Sequence, residues 1–271
     1  MSSPDSYQRT RERNTTLMAR SHRMRATWRD PARARDSLVV LLTLVTGATD
    51  ATGFLKLGGA FTSVMTGNMV LLGVAVGRQS ESLASHAGLA LIGYVTGSLF
   101  GARVAGHAAR SDAVWPRQVT NALAVELLLF GVFAVGFEIA GGNPTGAFAS
   151  TLLTLNAAAL GVQSAAVLRF GISGLSTTYL TGTLTTAIAR LPHPDRLKGH
   201  ERSLVILAAL VVGAGIGAVL SVDAARAEPA LQLVILGFVI LAASRQPDTL
   251  PGGVPSSLAG LPTGQGRVHS G

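Results

Sequence analysis

An acidic residue lies inside the first long apolar run of this sequence. Asp50 stands well within residues 37–55, most of which are apolar. Hydrocarbon disfavours an ionised carboxylate by roughly 2.5–3.5 kcal/mol, so Asp50 must be protonated, paired or turned toward a polar cavity. Two interpretations follow: a proton, cation or ligand site, and a structural ion pair or hydrogen bond to a neighbouring helix.

Two short apolar segments each contain a threonine followed by a glycine. They read Thr66-Gly67-Asn68 and Thr181-Gly182-Thr183. A glycine between hydroxyl or amide side chains can break a helix, and a half-helix that starts there directs its N–H groups at an anionic ligand. Close helix packing through small residues is the alternative. Because the two steps stand at matching positions, we give both interpretations equal weight.

Further polar residues extend this prediction. Gln163 occupies, in the second half, the place that Ala48–Asp50 occupies in the first. We predict a central cavity in which Asp50 couples charge and threonine, asparagine and glutamine side chains provide hydrogen bonds. The predicted ligand- or ion-binding residues are Asp50, Thr66, Gly67, Asn68, Gln163, Thr178, Thr181 and Gly182. The residues predicted to support them are Lys56, Glu126, Asn156 and Arg169.

Some of these supporting residues have competing interpretations. Lys56 and Arg169 each close the first helix of a half, where snorkelling to the membrane interface is the preferred explanation. Glu126 is either a partner for Asp50 or a hydrogen-bond site between helices, and the sequence does not choose between these roles.

The composition indicates a membrane protein with several spans. Apolar residues make up 48% and charged residues 13% of the 271 residues, and most charges lie between long uncharged runs. This distribution excludes an ordinary soluble domain. Because the chain contains no cysteine, disulfides, thiolate catalysis and cysteine-based metal sites are excluded. No other motif for a metal or a cofactor is present, so we expect neither.

Eight apolar segments form two sets of four. The long segments cover residues 37–55, 84–105, 119–139, 146–168, 204–222 and 230–243, and the short ones cover 61–77 and 175–189. The two sets superpose when Thr66-Gly67 is aligned with Thr181-Gly182, which indicates an internal repeat.

Charge favours one of two topologies. If each short segment enters and leaves by one face, six crossings remain, and the arginine-rich links and both tails share the cytoplasmic side. We therefore predict an all-α polytopic transmembrane bundle of two inverted repeats, each with three crossings and one short interrupted segment. Eight full crossings with parallel repeats are the alternative.

The chain then divides into three regions. Residues 1–36 form an arginine-rich cytoplasmic tail, mostly disordered, and residues 245–271 form a disordered C-terminal tail. The transmembrane domain covers 37–244, with repeat one at 37–140 and repeat two at 146–244. The basic tail is interpreted first as a signal for orientation and second as a contact for anionic lipid. No nucleic-acid partner is expected, and the oligomeric state is open.

One local pattern raises an enzymatic hypothesis. Gly171-Ile172-Ser173-Gly174 resembles the nucleophile turn of rhomboid intramembrane proteases. That chemistry needs a histidine on a neighbouring span to activate the serine. The candidate histidines flank the third span or lie in a polar loop: His86, His107, His193 and His200. We therefore disfavour an enzyme.

Three motifs carry a family resemblance. Residues 46–54, 61–68 and 176–182 contain Gly-x-x-Asp, Phe-x-x-x-x-Thr-Gly-Asn and Ser-Thr-Thr-x-x-Thr-Gly, which resemble the signatures of the YoaK-like family of bacterial inner-membrane proteins. The resemblance covers residues 36–245 and implies a multi-span membrane protein, carrying a domain of unknown function, that moves small molecules. Residues and resemblance together predict secondary transport of a small polar or ionic solute. A non-transporting scaffold or sensor with a lipid-binding basic tail is the alternative.

Overall fold

The structure, a computed structural model, describes residues 30–107, 113–171, 180–190 and 201–246. Within these ranges the chain forms eight helices and no strand. The helices are α1 (Pro31–Lys56), α2 (Met65–Gly77), α3 (Glu81–Ala105), α4 (Arg117–Ile139), α5 (Gly146–Leu168), α6 (Leu180–Arg190), α7 (Glu201–Asp223) and α8 (Ala227–Ser244). All except α2 and α6 are long and apolar enough to cross a membrane, which confirms the polytopic helical bundle.

Two helix starts differ from the sequence prediction. α1 begins at Pro31, before the predicted boundary at residue 37, because Asp30 accepts a hydrogen bond from the Ala32 N–H at 3.1 Å and Pro31 occupies the first turn. α2 begins only at Met65, because residues 57–64 form a loop that folds back along α1. We call residues 57–64 the re-entrant loop.

α1 and α7 pack side by side in the same direction. Leu44 lies against Gly213, and one turn later Ala48 lies against Gly217. Gly47 lies between these contacts, against the backbone of α7. A Cβ atom on any of the three glycines would collide with the backbone of the facing helix, so glycine is what permits this close approach.

α3 and α5 form a second parallel pair of the same kind. Gly93 lies against Thr154, Gly97 against Ala158, and Gly161 of α5 meets the backbone of α3. The residue numbers rise together along both helices, and the glycines again stand where the two backbones meet. Each tight pair therefore contains one helix from each half of the chain.

α1 and α5 run in opposite directions. Gln163 bonds Thr46, whereas Leu153 lies near Gly53 further along α1. We call the end of the bundle where α1 begins the lower end, and the end where α1 finishes the upper end. Gly58, just after α1, lies against His86 near the start of α3. Since α3 begins at the end where α1 finishes, α2 does not carry the chain across the bundle.

Four helices enclose the middle of the molecule. α1 packs on α5 and α8, and α4 packs on the same two helices, so these four form a closed arrangement that we call the central ring. Its lower half is filled by apolar side chains, among them Leu38, Leu42, Leu123 and Val239. On the outside of the spans, large apolar side chains such as Val135 are exposed. These membrane-embedded faces contact the lipid bilayer.

Candidate functional site

Asp50 holds the re-entrant loop against α1. Its Oδ1 atom accepts hydrogen bonds from the Thr62 N–H at 2.8 Å, the Thr62 hydroxyl at 2.9 Å and the Ser63 N–H at 2.8 Å. Its Oδ2 atom accepts a bond of 2.5 Å from the Ser63 hydroxyl. Only 6% of Asp50 is exposed. The partners of this carboxylate are therefore the loop itself, and neither Lys56 nor a neighbouring span.

The same loop is fixed a second time by Asn68. Its Oδ1 atom accepts from the Phe61 N–H at 2.9 Å, and its Nδ2 atom donates to the Phe61 carbonyl at 2.7 Å. The Phe61 ring stacks on Phe54 of α1, with 5.2 Å between the ring centroids. Asn68 belongs to the predicted Thr-Gly-Asn step, which lies in the first turn of α2 and does not interrupt that helix. Its amide instead satisfies the backbone groups of Phe61 in the re-entrant loop.

Asp50 also lies at the start of a half-helix. Val64 precedes α2 and supplies no side-chain cap, while the N–H groups of Thr62 and Ser63, just before it, point at the carboxylate. An N-terminus of this kind attracts negative charge. The carboxylate of Asp50 therefore lies just before the N-terminus of α2, bonded by N–H groups of the loop that precedes it.

A cavity of about 400 Å³ lies beside Asp50, between α1, the re-entrant loop and α7. Apart from Asp50 its walls are apolar, and they include Phe54, Phe61, Leu210 and Ala214. The predicted threonine and glutamine side chains do not line it. The space next to the acid could hold an apolar group, while the hydrogen-bonding atoms of Asp50 face the loop.

A separate set of polar side chains lies inside the central ring. Gln163 donates from Nε2 to the Thr46 hydroxyl at 2.8 Å, and Gln232 of α8 donates from Nε2 to the Thr49 hydroxyl at the same distance. Gln232 also bonds Glu228 Oε1 at 2.8 Å. All five residues are fully buried. The ring interior therefore contains two sets of hydrogen-bonded polar side chains, Gln163 with Thr46 and Gln232 with Thr49 and Glu228, in addition to its apolar side chains.

The side chains of two predicted residues in the ring form no hydrogen bond within the described part of the chain. Glu126 of α4 and Asn156 of α5 are fully buried, and both polar atoms of each side chain lack a partner among the described residues. Buried polar groups are usually satisfied, so each exception requires an explanation. Glu126 does not pair with Asp50, whose partners are the loop residues.

The remaining predicted residues lie at different places in the molecule. Thr66 and Thr181 expose their side chains on the outside of the short helices, and Gly182 is partly buried. Gly67 packs against Phe61 and Val64. The structure thus brings Asp50 and Asn68 to one loop and places Gln163 in the ring, without gathering the whole predicted set around one cavity.

The two predicted basic residues lie at helix ends. Lys56 is half-buried at the end of α1. Arg169 donates to the Ala105 carbonyl and so closes the end of α3. Thr178 and the rhomboid-like Ser173 lie outside the described residues. In the part of the chain that the structure describes, no three histidine or acidic side chains are grouped so that they could hold a metal ion.

Sequence reasoning missed several residues that make these contacts. They are Thr46, Thr49, Thr62, Ser63, Glu228 and Gln232. A signal existed for α1, where four threonines recur at every third position, all buried and each bonded to a carbonyl one turn earlier: Thr43, Thr46, Thr49 and Thr52. Glu228 fell outside the predicted last span, which began at residue 230.

The comparisons with known proteins agree with this architecture. A family profile described as "Protein of unknown function (DUF1275)" matches residues 38–244. The chain is similar to the UPF0700 transmembrane protein YoaK of Bacillus subtilis (strain 168), with 35% identity over 199 residues, covering 72% of this chain and 84% of YoaK. No solved structure matches the chain. The resemblance seen in the motifs is confirmed, and the chain belongs to the DUF1275 family as a YoaK-like, multi-pass membrane protein.

Proposed function

We propose that this protein is a secondary transporter of a small polar or ionic solute. It lies in the bacterial cytoplasmic membrane, with both termini in the cytoplasm. The observation that carries the proposal is the buried Asp50 at the start of the half-helix α2, reached by a loop that re-enters the bundle. Interrupted helices whose N-termini meet a charge inside the membrane are typical of transporter binding sites.

An inverted internal repeat is part of this proposal. Gly47 of α1 meets Leu210 and Ala214 of α7, and Gly161 of α5 meets Tyr94 and Ser98 of α3. Exchanging the halves converts the first set of contacts into the second. The antiparallel course of α1 and α5, which are equivalent helices, supports inversion rather than parallel repetition. Repeats of this kind are common in secondary transporters.

In the proposed mechanism the Asp50 carboxylate binds either the re-entrant loop or the solute. All four hydrogen bonds to its carboxylate come from Thr62 and Ser63. A cationic or hydrogen-bond-donating group that approached Asp50 would compete with these donors and release the loop. Movement of the loop would then carry Asn68 and the adjoining Thr66-Gly67 step with it. The equivalent step at Thr178, Thr181 and Gly182, with Gln163, serves the second half.

Transport is tested with the purified full chain in proteoliposomes. Uptake is measured for a panel of radiolabelled amino acids, sugars, organic cations and inorganic ions, with wild type, Asp50→Asn and Glu138→Gln. Glu138 is the matched control, because it is a half-exposed carboxylate paired with Arg226 at the surface of the upper end. We expect Asp50→Asn to abolish uptake of the transported solute and Glu138→Gln to retain it. Uptake that never exceeds protein-free liposomes, or that Asp50→Asn leaves unchanged, contradicts the proposal.

A second candidate is a non-transporting membrane scaffold or sensor. Two observations favour it: Asp50 is saturated by bonds to its own chain, and the adjoining cavity is apolar. Residues 1–29 of the arginine-rich tail that this alternative assigns to anionic lipid lie outside the described residues. The scaffold predicts that no solute in the panel is taken up, and that Asp50→Asn lowers only the thermal stability.

A further inference from the structure

The polar side chains inside the central ring come from all four of its helices. α1 contributes Thr46 and Thr49, α5 contributes Gln163 and Asn156, α8 contributes Gln232 and Glu228, and α4 contributes Glu126. We call Glu126, Gln163, Gln232 and Glu228 the polar column. None of these four side chains is exposed. Two of them are carboxyl groups, and no lysine or arginine bonds either one among the described residues.

Most side-chain oxygen atoms of the column lack a hydrogen-bond partner, whereas both of its side-chain nitrogen atoms donate hydrogen bonds. The Nε2 atoms of Gln163 and Gln232 donate to the threonines of α1, and that of Gln232 also bonds Glu228 Oε1. This leaves the Oε1 atoms of both glutamines, the Oε2 atom of Glu228 and both oxygens of Glu126 buried and without a partner. Buried acceptors that lack a hydrogen-bond partner attract either a cation or a proton.

The register of the helices places these oxygens at successive levels of the ring. Thr46 and Thr49 stand about one turn apart on α1, so Gln163 and Gln232 are neighbours along the axis. α4 and α5 are joined by a short turn and run antiparallel, with Gly136 against Leu152. When the same number of residues is counted from that contact toward the lower end of each helix, Glu126 on α4 and Val162 on α5 come to the same height. Glu126 therefore lies at the level of Gln163.

One apolar cluster packs below this level and continues above it, with Phe130 and Leu160 about one turn higher on α4 and α5. Below Glu126, Leu38, Leu123 and Val239 belong to one packed apolar cluster. Above it, Gln232 leads to Glu228 in the first turn of α8, near the upper end. Glu126 and Gln163 are thus the lowest side chains of the polar column, which extends upward to Glu228 with apolar side chains packed beside it.

We infer that the polar column binds a small hard cation, a proton or Na⁺, with Glu126 as its charged ligand. Carboxylate and amide carbonyl oxygens are the ligands that hard cations take in proteins. A bound cation would satisfy acceptors that otherwise lack partners and would neutralise a carboxylate that hydrocarbon disfavours. The inference goes beyond transport and does not rest on it, since a scaffold with the same ring would bind the same ion.

Two other titratable groups on the helices packed against α4 are bonded outside the column. Arg103 bonds the Leu99 carbonyl on its own helix, and His86 contacts Ser82 and Ser150 near the upper end. Glu228 is the titratable group of α8 that shares the ring interior with Glu126. The others on these helices or directly after them are Glu81, Tyr94, Arg169 and Arg245.

Cation binding is tested by thermal unfolding of the purified full chain. The probe is Na⁺, supplied as sodium chloride and compared with choline chloride at equal ionic strength, at acid and at alkaline pH. A ligand that binds only the folded state raises Tm, and we expect Na⁺ to raise it by about 2–4 °C in the wild type. Glu126→Gln should lose this response, and Glu138→Gln, at the exposed surface pair, should retain it.

The same experiment separates a proton from Na⁺. If the bound cation is a proton, acidification rather than Na⁺ raises Tm, and Glu126→Gln removes the response to acid. Labelling with dicyclohexylcarbodiimide, followed by peptide mass spectrometry, gives a second readout, because this reagent modifies protonated carboxyl groups from the lipid phase. Na⁺ should protect Glu126 from it if Na⁺ is the ligand, and strong labelling of Glu126 without sodium protection indicates a proton.

Two further results decide the inference. Gln163→Leu removes a ligand oxygen while it keeps the carboxylate, so it should weaken the response to the cation and leave Glu126 open to the carbodiimide. The inference is overturned if wild type and Glu126→Gln respond identically to Na⁺ and to pH and if Glu126 is not modified by the carbodiimide. Uptake in proteoliposomes does not enter this test, so its failure and the failure of the transport proposal are distinguishable.

Discussion

At the scale of single residues, Asp50 and Asn68 fix the re-entrant loop by bonds to its backbone. Asp50 accepts from the N–H groups of Thr62 and Ser63, and Asn68 satisfies both backbone groups of Phe61. A loop with unsatisfied N–H groups would not remain inside a bilayer. The family motifs that contain these two residues therefore describe the sequence requirements of a buried turn.

Removal of the Asp50 carboxylate should open the loop. In Asp50→Ala two buried N–H groups lose their acceptor, at about 1–3 kcal/mol each. Because the chain has no cysteine, a single Ala60→Cys reports on the loop: residue 60 is buried, and its maleimide labelling should become fast in Asp50→Ala. Ser164→Ala is the matched control, since Ser164 stands at the equivalent position of α5 and bonds only the Leu160 carbonyl. Equal labelling rates in both backgrounds would show that Asp50 does not hold the loop.

Asn68 and Asp50 should not act independently. Each fixes the same loop, so once Asp50→Ala has released it, Asn68→Ala has less structure left to lose. A double-mutant cycle on the free energy of unfolding should give a coupling of about 0.5–3 kcal/mol. Additive losses of stability would mean that the two side chains hold separate segments.

Only some of these residues could be predicted from the sequence. Asp50 and Asn68 stood out because a carboxylate and an amide are conspicuous within apolar runs. Thr62 and Ser63 did not, because their role depends on the chain folding back after Lys56, which apolar periodicity does not report. Glu228 and Gln232 were missed for a related reason: their contacts depend on α8 packing against α1, and only Glu126, their neighbour in the ring, lies far enough inside a span to be noticed.

At the scale of helices, glycines set the distance between α1 and α7 and between α3 and α5. A Cβ added at Gly97 would overlap the backbone of Ala158, and one added at Gly213 would overlap that of Leu44. By contrast, a Cβ added at Gly131 or Gly237 would meet no other atom within contact distance.

Alanine substitutions should therefore separate two classes of glycine. Gly97→Ala and Gly213→Ala should destabilise the protein by about 1–3 kcal/mol, because the facing helices must move apart. Gly131→Ala and Gly237→Ala should be neutral or stabilising by up to about 1 kcal/mol, because alanine favours the helix. Thermal unfolding in detergent measures both. A similar loss of stability at all four positions would contradict the assignment of close contacts.

Helix positions followed from sequence more readily than helix partners. Uninterrupted apolar runs fixed α3, α4, α5, α7 and α8 to within a few residues. The start of α1 escaped prediction because the Asp30-Pro31 cap lies in a polar, arginine-rich stretch. The pairing of α1 with α7 could not be read from spacing alone, since every span is rich in small residues that could serve as a contact face.

At the scale of the whole molecule, six crossings place the re-entrant loop at the upper end, and the start of α1 and the end of α8 at the lower end. This topology can be tested by labelling. Arg78 and Asn143 lie in turns at the upper end, and His107 follows α3 at the lower end; all three are exposed. Single cysteines at 78 and 143 should react with a membrane-impermeant maleimide added to intact cells, because positive charge assigns the upper end to the outside. A cysteine at 107 should react only after permeabilisation. Labelling of 78 and 143 from opposite sides would indicate a different number of crossings.

The pairing of helices also determines which parts of the molecule could move as units. α1 belongs to the first half of the sequence and α7 to the second, and the same is true of α3 and α5. A rotation of one half of the sequence against the other would have to separate α1 from α7 and α3 from α5 at the same time. Both pairs are held by close contacts at glycines. Rigid bodies would instead be the two mixed pairs, sliding past each other where α1 crosses α5 and only Gln163, Thr46 and a few apolar side chains make contact. The gene's two halves are thus interlaced in space, and neither should fold into its native form when expressed without the other.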